Sequence, residues 1–414
     1  MKMTWIAAFV CVVPLAAGCG GSAPSGAVSA SGGHAEGGSI KIGSLHPLSG
    51  AAAADGQQME NGAKLAVEAV NSAGGIKSLG GAKLELLSAD TQGKPEVGQS
   101  EAQRVVSEGA VALIGTYQSA VSATVSSVAE RNKVPFVIDA SAADTLLSQG
   151  YRNTFRIPPG SKMMGIDGAK YLSEVSKAAG KPAAKVAILH EQGPFGTTVK
   201  DAFTTEAKRL GMQIVSSASY DAASVSDFTT QVTAVKASGA DVLVVTGYYR
   251  DGVLIAQAVK TVKPGLAAVY GVANGAFDIP QFPAEAAGAG DGFFDANYHA
   301  DAKSPQTKAL AAKYKAAYGA EIRTVAVLSY EAIRVIADGL ERAGKAEPAA
   351  LRDAIAKTRL DSLMATNGPI SFDQTGQNGN AIPILMQVQG QKVVQVHPVD
   401  KAEAKPVYPA EPGR

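Results

Sequence analysis

Cysteine and tryptophan are almost missing from this chain of 414 residues. Its two cysteines are Cys11 and Cys19, and its one tryptophan is Trp5, so all three lie at the extreme N-terminus. The folded part of the chain therefore has no disulfide and no thiol that could act as a nucleophile or metal ligand. If the N-terminal segment is removed on export, the mature protein also has no tryptophan.

The chain also has no large excess of charge of either sign, since 38 basic and 37 acidic residues leave a net charge of +1. This balance gives no reason to expect nucleic acid or an anionic surface as partner. The five histidines are scattered without metal-ligand spacing, and no P-loop, dinucleotide-binding motif or nucleophile elbow occurs. We therefore expect neither catalysis nor a cofactor nor a bound metal. A hydrophobic content of 46% indicates a globular protein with a large core, in two or three domains.

The N-terminus has the order of a bacterial export signal. Lys2 precedes an apolar run over residues 5–15, and small residues at 16–18 lead into Cys19. The run is shorter than the roughly 20 residues that a membrane-spanning helix needs. The segment LAAGC at 15–19 resembles the lipobox of bacterial lipoproteins, which implies acylation of Cys19 and cleavage before it. An ordinary secretory signal with an incidental cysteine is the alternative.

These features place a signal peptide at residues 1–18 and a tether at 19–38. The tether is almost entirely glycine, serine, alanine and proline, so it is expected to be flexible. The predicted location is the periplasm or the outer face of the cytoplasmic membrane, with lipid at Cys19 as the only link to the bilayer.

Beyond the tether, short β-branched runs alternate with longer alanine-rich amphipathic segments. The predicted strands cover residues 40–45, 83–89, 111–115, 135–139, 185–190, 213–220, 242–247 and 268–272. The predicted helices cover residues 56–71, 95–108, 121–133, 163–179, 196–210, 228–237, 252–260, 304–318, 325–343 and 349–356. This rhythm predicts an α/β fold of parallel sheets with helices on both faces. Ligands of such sheets bind in loops at the carboxyl ends of strands.

Short motifs in a fixed order point to one family. They are PLSG at 47–50, GAKLA at 62–66, NSAGGI at 71–76, ALIG at 112–115, VPFV at 134–137, FG at 195–196, GYY at 247–249, YEA at 330–332 and ISFD at 370–373. With the lipobox before them, the chain resembles the type I periplasmic binding proteins, the leucine/isoleucine/valine-binding group of ABC transporter receptors. The resemblance runs over residues 40–398.

The resemblance implies two Rossmann-like lobes joined by three hinge crossings. We place lobe 1 at residues 39–157 plus 293–368 and lobe 2 at 158–292 plus 369–414. The crossings fall near 157–159, 290–293 and 368–370, where glycine, proline and asparagine suit hinges.

The implied function is a solute-binding receptor that delivers a small carboxylate-bearing solute to an ABC permease and its ATPase. The protein is expected to be a monomer. A tethered ligand sensor for a signalling partner would use the same cleft and is the alternative. A sugar-repressor type of regulator shares the general fold but would carry a DNA-binding helix pair and no export signal.

Two loops of the first lobe carry candidate ligand contacts. Gln118 and Ser119 follow a buried strand and precede a helix, whose N-terminal N–H groups favour an anion. In amino-acid binders of the family the serine matching Ser119 holds the ligand carboxylate; a role of Ser119 as a helix cap only is the alternative. In the next loop the resemblance gives Ala140 a backbone carbonyl for the ligand ammonium. The family threonine falls on Ala142, which leaves Ser141 as the available hydroxyl.

The second lobe contributes aromatic candidates. The resemblance places Phe195 over the ligand, and packing of Phe195 into its own helix is the alternative. Tyr248 and Tyr249 end a buried strand, where either tyrosine supplies apolar area and one polar group. We favour Tyr248 as the ligand contact, although the sequence scarcely separates the two.

Two positions depart from the amino-acid binders. Ala273, with Asn274 beside it, stands where they carry the carboxylate that pairs with the ligand ammonium. Asp55 stands where they carry an aromatic, and it either takes over the ammonium or caps a helix starting near Gly56. The ligand is thus a branched-chain or other amino acid held differently, or a related organic or aromatic acid.

Overall fold

A computed structural model describes residues 38–399 and 401–413. The predicted signal peptide, Cys19 and the tether up to residue 37 lie outside the described residues. Among the helices described, none is long and apolar enough to cross a membrane.

Two separate sheets organise the described chain. The five-stranded sheet has the order β2-β1-β3-β4-β5 and is parallel throughout. Its strands are β1 (Ile40–His46), β2 (Leu84–Asp90), β3 (Ala112–Gly115), β4 (Phe136–Ile138) and β5 (Thr154–Arg156). The seven-stranded sheet has the order β12-β11-β10-β9-β8-β6-β7. Its strands are β6 (Lys185–Glu191), β7 (Gln213–Tyr220), β8 (Val242–Gly247), β9 (Ala268–Asn274), β10 (Phe294–Asn297), β11 (Ile384–Gln389) and β12 (Lys392–His397).

Eleven α-helices in the described residues connect and cover these strands. They are α1 (Ala53–Ser72), α2 (Pro95–Ser107), α3 (Ser119–Asn132), α4 (Ser161–Ala178), α5 (Pro194–Arg209), α6 (Thr229–Ser238), α7 (Tyr249–Val262), α8 (Phe282–Glu285), α9 (Pro305–Tyr318), α10 (Thr324–Ala343) and α11 (Pro348–Ile355). The predicted α/β fold of mainly parallel sheets is therefore confirmed. The exception is β11, which runs antiparallel to both β10 and β12.

Central strands such as β3 and β8 are buried on both faces, which explains why their sequences are almost continuously apolar. In the five-stranded sheet Leu113 and Ile114 point into different hydrophobic clusters, as alternate strand residues must. The cluster that contains Ile114 also holds α1 and α10. These two helices can pack closely because Gly62 of α1 has no side chain. A Cβ at this position would lie 2.1 Å from the carbonyl oxygen of Ala326 in α10.

We call the five-stranded sheet with α1–α3 and α9–α11 the first lobe, and the seven-stranded sheet with α4–α8 the second lobe. The chain passes from one to the other between β5 and α4, after β10, and before β11. Two of the predicted crossings are misplaced. Residues 290–293 lead into β10, which pairs with β9 in the second lobe, so that crossing follows Asn297. Ile370 is buried in the first-lobe core, so the last crossing lies between Ile370 and Ile384.

Candidate functional site

A small cavity, which we call the inner cavity, lies between the carboxyl ends of the two sheets. Its volume is about 20 Å³, and its walls come from both lobes. Four lining residues are aromatic, three are polar and five are small: Tyr117, Phe195, Tyr248 and Tyr298; Ser119, Ser141 and Asn297; Ala140, Ala142, Gly247, Ala273 and Gly275. A void of this size holds about one water, so the lobes must separate before a solute can enter.

Ser119 lies at the polar end of the inner cavity. It is the first residue of α3, which begins two residues earlier than predicted, and Gln118 rather than Ser119 is the N-cap. The Ser119 hydroxyl oxygen accepts from the Ala143 N–H at 3.2 Å. Within the described residues, the N–H groups of Ser119 and Ala120 donate to no acceptor. A helix N-terminus with free donors and a hydroxyl beside them is suited to a carboxylate.

The neighbouring loop after β4 also lines the inner cavity. The Tyr298 hydroxyl donates to the Ala140 carbonyl at 3.3 Å, so a ring from the crossing after β10 already contacts this oxygen. Ser141 forms a short hydroxyl contact with Ser122 of α3. Arg156 donates to the Ala142 and Ala143 carbonyls at 2.7 and 2.8 Å, which fixes the far end of the loop.

The aromatic residues stand close to one another across the lobes. The ring of Tyr248 lies 5.3 Å from that of Tyr117 and 5.8 Å from that of Phe195, centroid to centroid. Burial raises the pKa of Tyr248 well above its ordinary value, with Glu191 and Asp251 adding to the effect, so its hydroxyl stays neutral. Phe195 lies at the start of α5 and faces the inner cavity as well as the core.

Tyr249 points elsewhere, toward Arg323 at the start of α10. The Arg323 guanidinium lies 3.8 Å from the centroid of the Tyr249 ring, a cation–π geometry. Its Nη2 lies 3.8 Å from Glu285 Oε1. Arg323 belongs to the first lobe, whereas Tyr249 and Glu285 belong to the second, so these contacts join the lobes. Nearby, Gln281 Nε2 donates to the Glu321 carbonyl at 2.8 Å.

Asp55 is committed to the same arginine. Arg323 Nη1 donates to Asp55 Oδ1 at 2.8 Å, and both side chains are buried. Burial raises the pKa of Asp55, and Arg323 and Tyr117 oppose that shift. The interpretation of Asp55 as a helix cap is wrong, because α1 begins at Ala53 and places Asp55 inside its first turn with no cap bond. Asp55 does not line the inner cavity.

Two other predicted residues also lie beside the inner cavity rather than in its wall. Asn274 is fully buried, and its Oδ1 accepts from the Ala276 N–H at 2.9 Å. Gln118 lines a larger cavity of about 620 Å³ at the mouth of the cleft, which Ser119, Phe195 and Tyr248 also border. The mouth and the inner cavity thus share the residues through which a solute would pass.

A buried charge network supports the first-lobe loops from below. His46, at the end of β1, places Nε2 2.9 Å from Asp139 Oδ2 and Nδ1 3.5 Å from Glu60 Oε2. Burial opposes a charge on His46, but Asp139 and Glu60 outweigh it and raise its pKa to about 9. Burial likewise opposes ionisation of Glu60, but hydrogen bonds and the charge of His46 lower its pKa to about 2. The network connects the ends of β1 and β4, from which the site loops leave.

Sequence reasoning missed the three lining residues Tyr117, Asn297 and Tyr298, which carry polar groups, as well as the lining glycines Gly247 and Gly275. Tyr117 lay inside a loop that the prediction had already selected. Asn297 ends β10 and Tyr298 follows it; the prediction contained no strand there, so the loop after it was not considered. In the described residues, no group of three or more His, Cys, Asp or Glu side chains is arranged to hold a metal.

Comparison with known proteins agrees with this architecture. A family model described as periplasmic binding protein matches residues 39–392. The chain is 31% identical over 376 residues to the Leu/Ile/Val-binding protein homolog 8 of Brucella abortus (strain 2308). The alignment covers 88% of this chain and 92% of that protein.

Solved structures show the same fold. The branched-chain amino acid transporter substrate binding protein of Streptococcus pneumoniae, in complex with isoleucine, superposes with a TM-score of 0.76 at 23% identity, over 89% of this chain and 99% of that one. An ABC transporter solute binding protein of R. palustris, in complex with benzoate, gives a TM-score of 0.74 at 20% identity, over 87% and 96%. The relatives are solute-binding proteins rather than enzymes. The chain belongs to the periplasmic binding protein family, with the type I fold of ABC transporter substrate-binding proteins.

Proposed function

We propose that this protein is the lipid-anchored, extracytoplasmic receptor of an ABC importer. It binds a small carboxylate-bearing solute between the lobes and delivers it, as a monomer, to a membrane permease. The observation that carries the proposal is the N-terminus of α3, where Ser119 lines a cavity with walls from both lobes and the N–H groups of Ser119 and Ala120 are unpaired. The solutes named for two structural neighbours, isoleucine and benzoate, both carry a carboxylate.

A thermal-shift and calorimetric screen tests the function. Amino acids, amides, small carboxylates and aromatic acids are added to the purified mature protein, and a bound solute should raise the melting temperature by mass action. The best solute should then bind Ser119→Ala about ten- to a hundredfold more weakly, because a hydrogen bond to a charged group is lost. Tryptophan emission cannot serve as the readout, since Trp5 lies in the predicted signal peptide.

Ser127→Ala is the matched control. Ser127 lies in the same helix outside the cavity lining, so its replacement should leave affinity unchanged. A screen in which no solute shifts the melting temperature would count against a receptor, and wild-type affinity in Ser119→Ala would remove the carboxylate from this helix end.

The anchor is tested separately through the two cysteines. Wild-type protein expressed with its full N-terminus should partition into membranes and detergent, because two or three acyl chains hold a protein stably. Cys19→Ser should release it into the soluble fraction. Cys11→Ser, which changes the only other cysteine, should partition like the wild type. Equal solubility of the Cys19→Ser variant and the wild type contradicts acylation at Cys19.

A further inference from the structure

Ionised side chains do not reach the wall of the inner cavity. Among the described residues that line it, none is aspartate, glutamate, lysine, arginine or histidine. An ammonium group buried without a counter-charge is strongly disfavoured, and neutral hydroxyl or carbonyl groups compensate for only part of its lost hydration. The wall is therefore poorly suited to the ammonium of an amino acid.

The carboxylates of Asp55 and Glu191 already have partners. Asp55 pairs with Arg323 at 2.8 Å. Glu191 accepts from the N–H groups of Gly193 and Gly196 at 2.6 and 2.7 Å, at the start of α5. An ammonium would have to compete with Arg323 for Asp55, or with the N–H groups at the start of α5 for Glu191.

Two more buried carboxylates lie behind the wall. Asp295 accepts from the Asn274 N–H at 3.2 Å, and Asn297 donates to the Asn274 carbonyl at 3.0 Å. Asp278 and Asp295 influence each other's ionisation, and burial with this repulsion raises the pKa of Asp295. Neither lines the inner cavity, where Asn297 presents an amide instead.

Four aromatic rings are the largest side chains in the wall of the inner cavity. Tyr117 and Tyr298 come from the loops after β3 and β10, and Phe195 and Tyr248 from those after β6 and β8. The three measured rings are tilted by 34° to 49° at centroid distances of 5.3 and 5.8 Å. Rings at such distances and tilts attract a further ring by more than its buried area alone.

We infer that the cavity is built for an aromatic carboxylic acid that has no ammonium group. Its carboxylate lies at Ser119 and the N-terminus of α3, and its ring lies among Tyr117, Phe195 and Tyr248. This inference rests on the proposed function and specifies its solute class.

Two matched pairs of solutes test it by calorimetry on the mature wild-type protein. 3-Phenylpropanoate and L-phenylalanine differ only in the ammonium group, and the amine-free acid should bind at least about tenfold more tightly. Benzoate and cyclohexanecarboxylate differ in aromaticity, and benzoate should bind roughly two- to tenfold more tightly.

A substitution in the cavity wall should reverse the preference for 3-phenylpropanoate over L-phenylalanine. Ala273 lines the cavity, so Ala273→Glu adds a carboxylate there and should favour L-phenylalanine over 3-phenylpropanoate. Ala273→Gln has nearly the same shape without the charge and should keep the wild-type order. Because the solute pairs are measured on the wild type, the inference remains testable if either variant fails to fold.

Each outcome separates the inference from the function on which it rests. Tighter binding of L-phenylalanine overturns the exclusion of the ammonium, while a receptor function stands. Equal or tighter binding of cyclohexanecarboxylate overturns the aromatic assignment alone. If none of the four solutes binds, the aromatic-acid inference fails. The proposed function fails with it only when the broader solute screen is also negative.

Discussion

Replacing His46 with leucine is expected to lower the free energy of unfolding by about 3–5 kcal/mol. The imidazolium lies between Asp139 and Glu60, and all three side chains are buried. Its removal leaves Asp139 buried without a counter-charge and leaves Glu60 with only the half-exposed Lys64, whose Nζ lies 3.3 Å from Glu60 Oε1. Breaking a buried pair in this way is costly. Urea unfolding followed by far-ultraviolet circular dichroism gives the difference, provided that the slope of the transition stays unchanged.

The double variant His46→Leu/Asp139→Asn is the matched control. It removes one of the stranded carboxylates and should recover part of the loss, whereas two independent sites would give additive losses. A His46→Leu variant as stable as the wild type would show that the imidazole is neutral in the fold.

The pH dependence of unfolding provides a second measurement on the same network. The pKa of His46 is raised from 6.5 to about 9, so its contribution is complete below pH 6.5 and is lost as the pH rises through 9. Glu60 also stabilises the fold, but its contribution depends on pH in the opposite direction and is lost only as the pH falls from 4.5 through about 2. His46→Leu should abolish the alkaline loss of stability.

Replacing Arg323 with methionine is expected to cost a similar amount, about 3–5 kcal/mol, because Asp55 is then buried without its partner. Arg323→Met/Asp55→Asn should recover most of the loss, and Arg323→Lys should retain part of the stability because the charge remains. Chemical unfolding of the four proteins measures the coupling between the two residues. Additive losses in the double variant would contradict a direct ion pair.

The sequence predicts the first-lobe site better than the second-lobe site, and the reason is local pattern. Ser119 begins the helix that follows β3, and Ala140 lies in the loop directly after β4, so both could be placed from neighbouring residues. Tyr248 could be separated from Tyr249 only by the structure, in which one ring faces the inner cavity and the other packs against Arg323.

Strand β10 was missed because its sequence, FDAN, is short, contains the buried Asp295 and follows a glycine-rich stretch. Its identity as a strand depends on pairing with β9 and β11, which come from distant parts of the chain. The role of Asp55 was equally hidden. Its partner Arg323 is 268 residues away, and no local spacing connects the two.

The contacts of Arg323 with Tyr249 and Glu285 also influence how tightly a solute is held. The apparent dissociation constant is the intrinsic one divided by the fraction of molecules whose lobes are already together. Stronger contacts between the lobes would raise that fraction and the affinity. They would also give an empty receptor the shape of a loaded one, so a transporter could no longer distinguish the two.

The ion pair between Arg323 and Glu285 is weak. The Arg323–Glu285 distance is 3.8 Å and the Glu285 side chain is 49% exposed, so the pair contributes little free energy. This ion pair therefore adds little to the free energy that brings the lobes together, and the solute has to supply that share. The weakness of this contact thus favours discrimination between loaded and empty receptors at some expense of affinity.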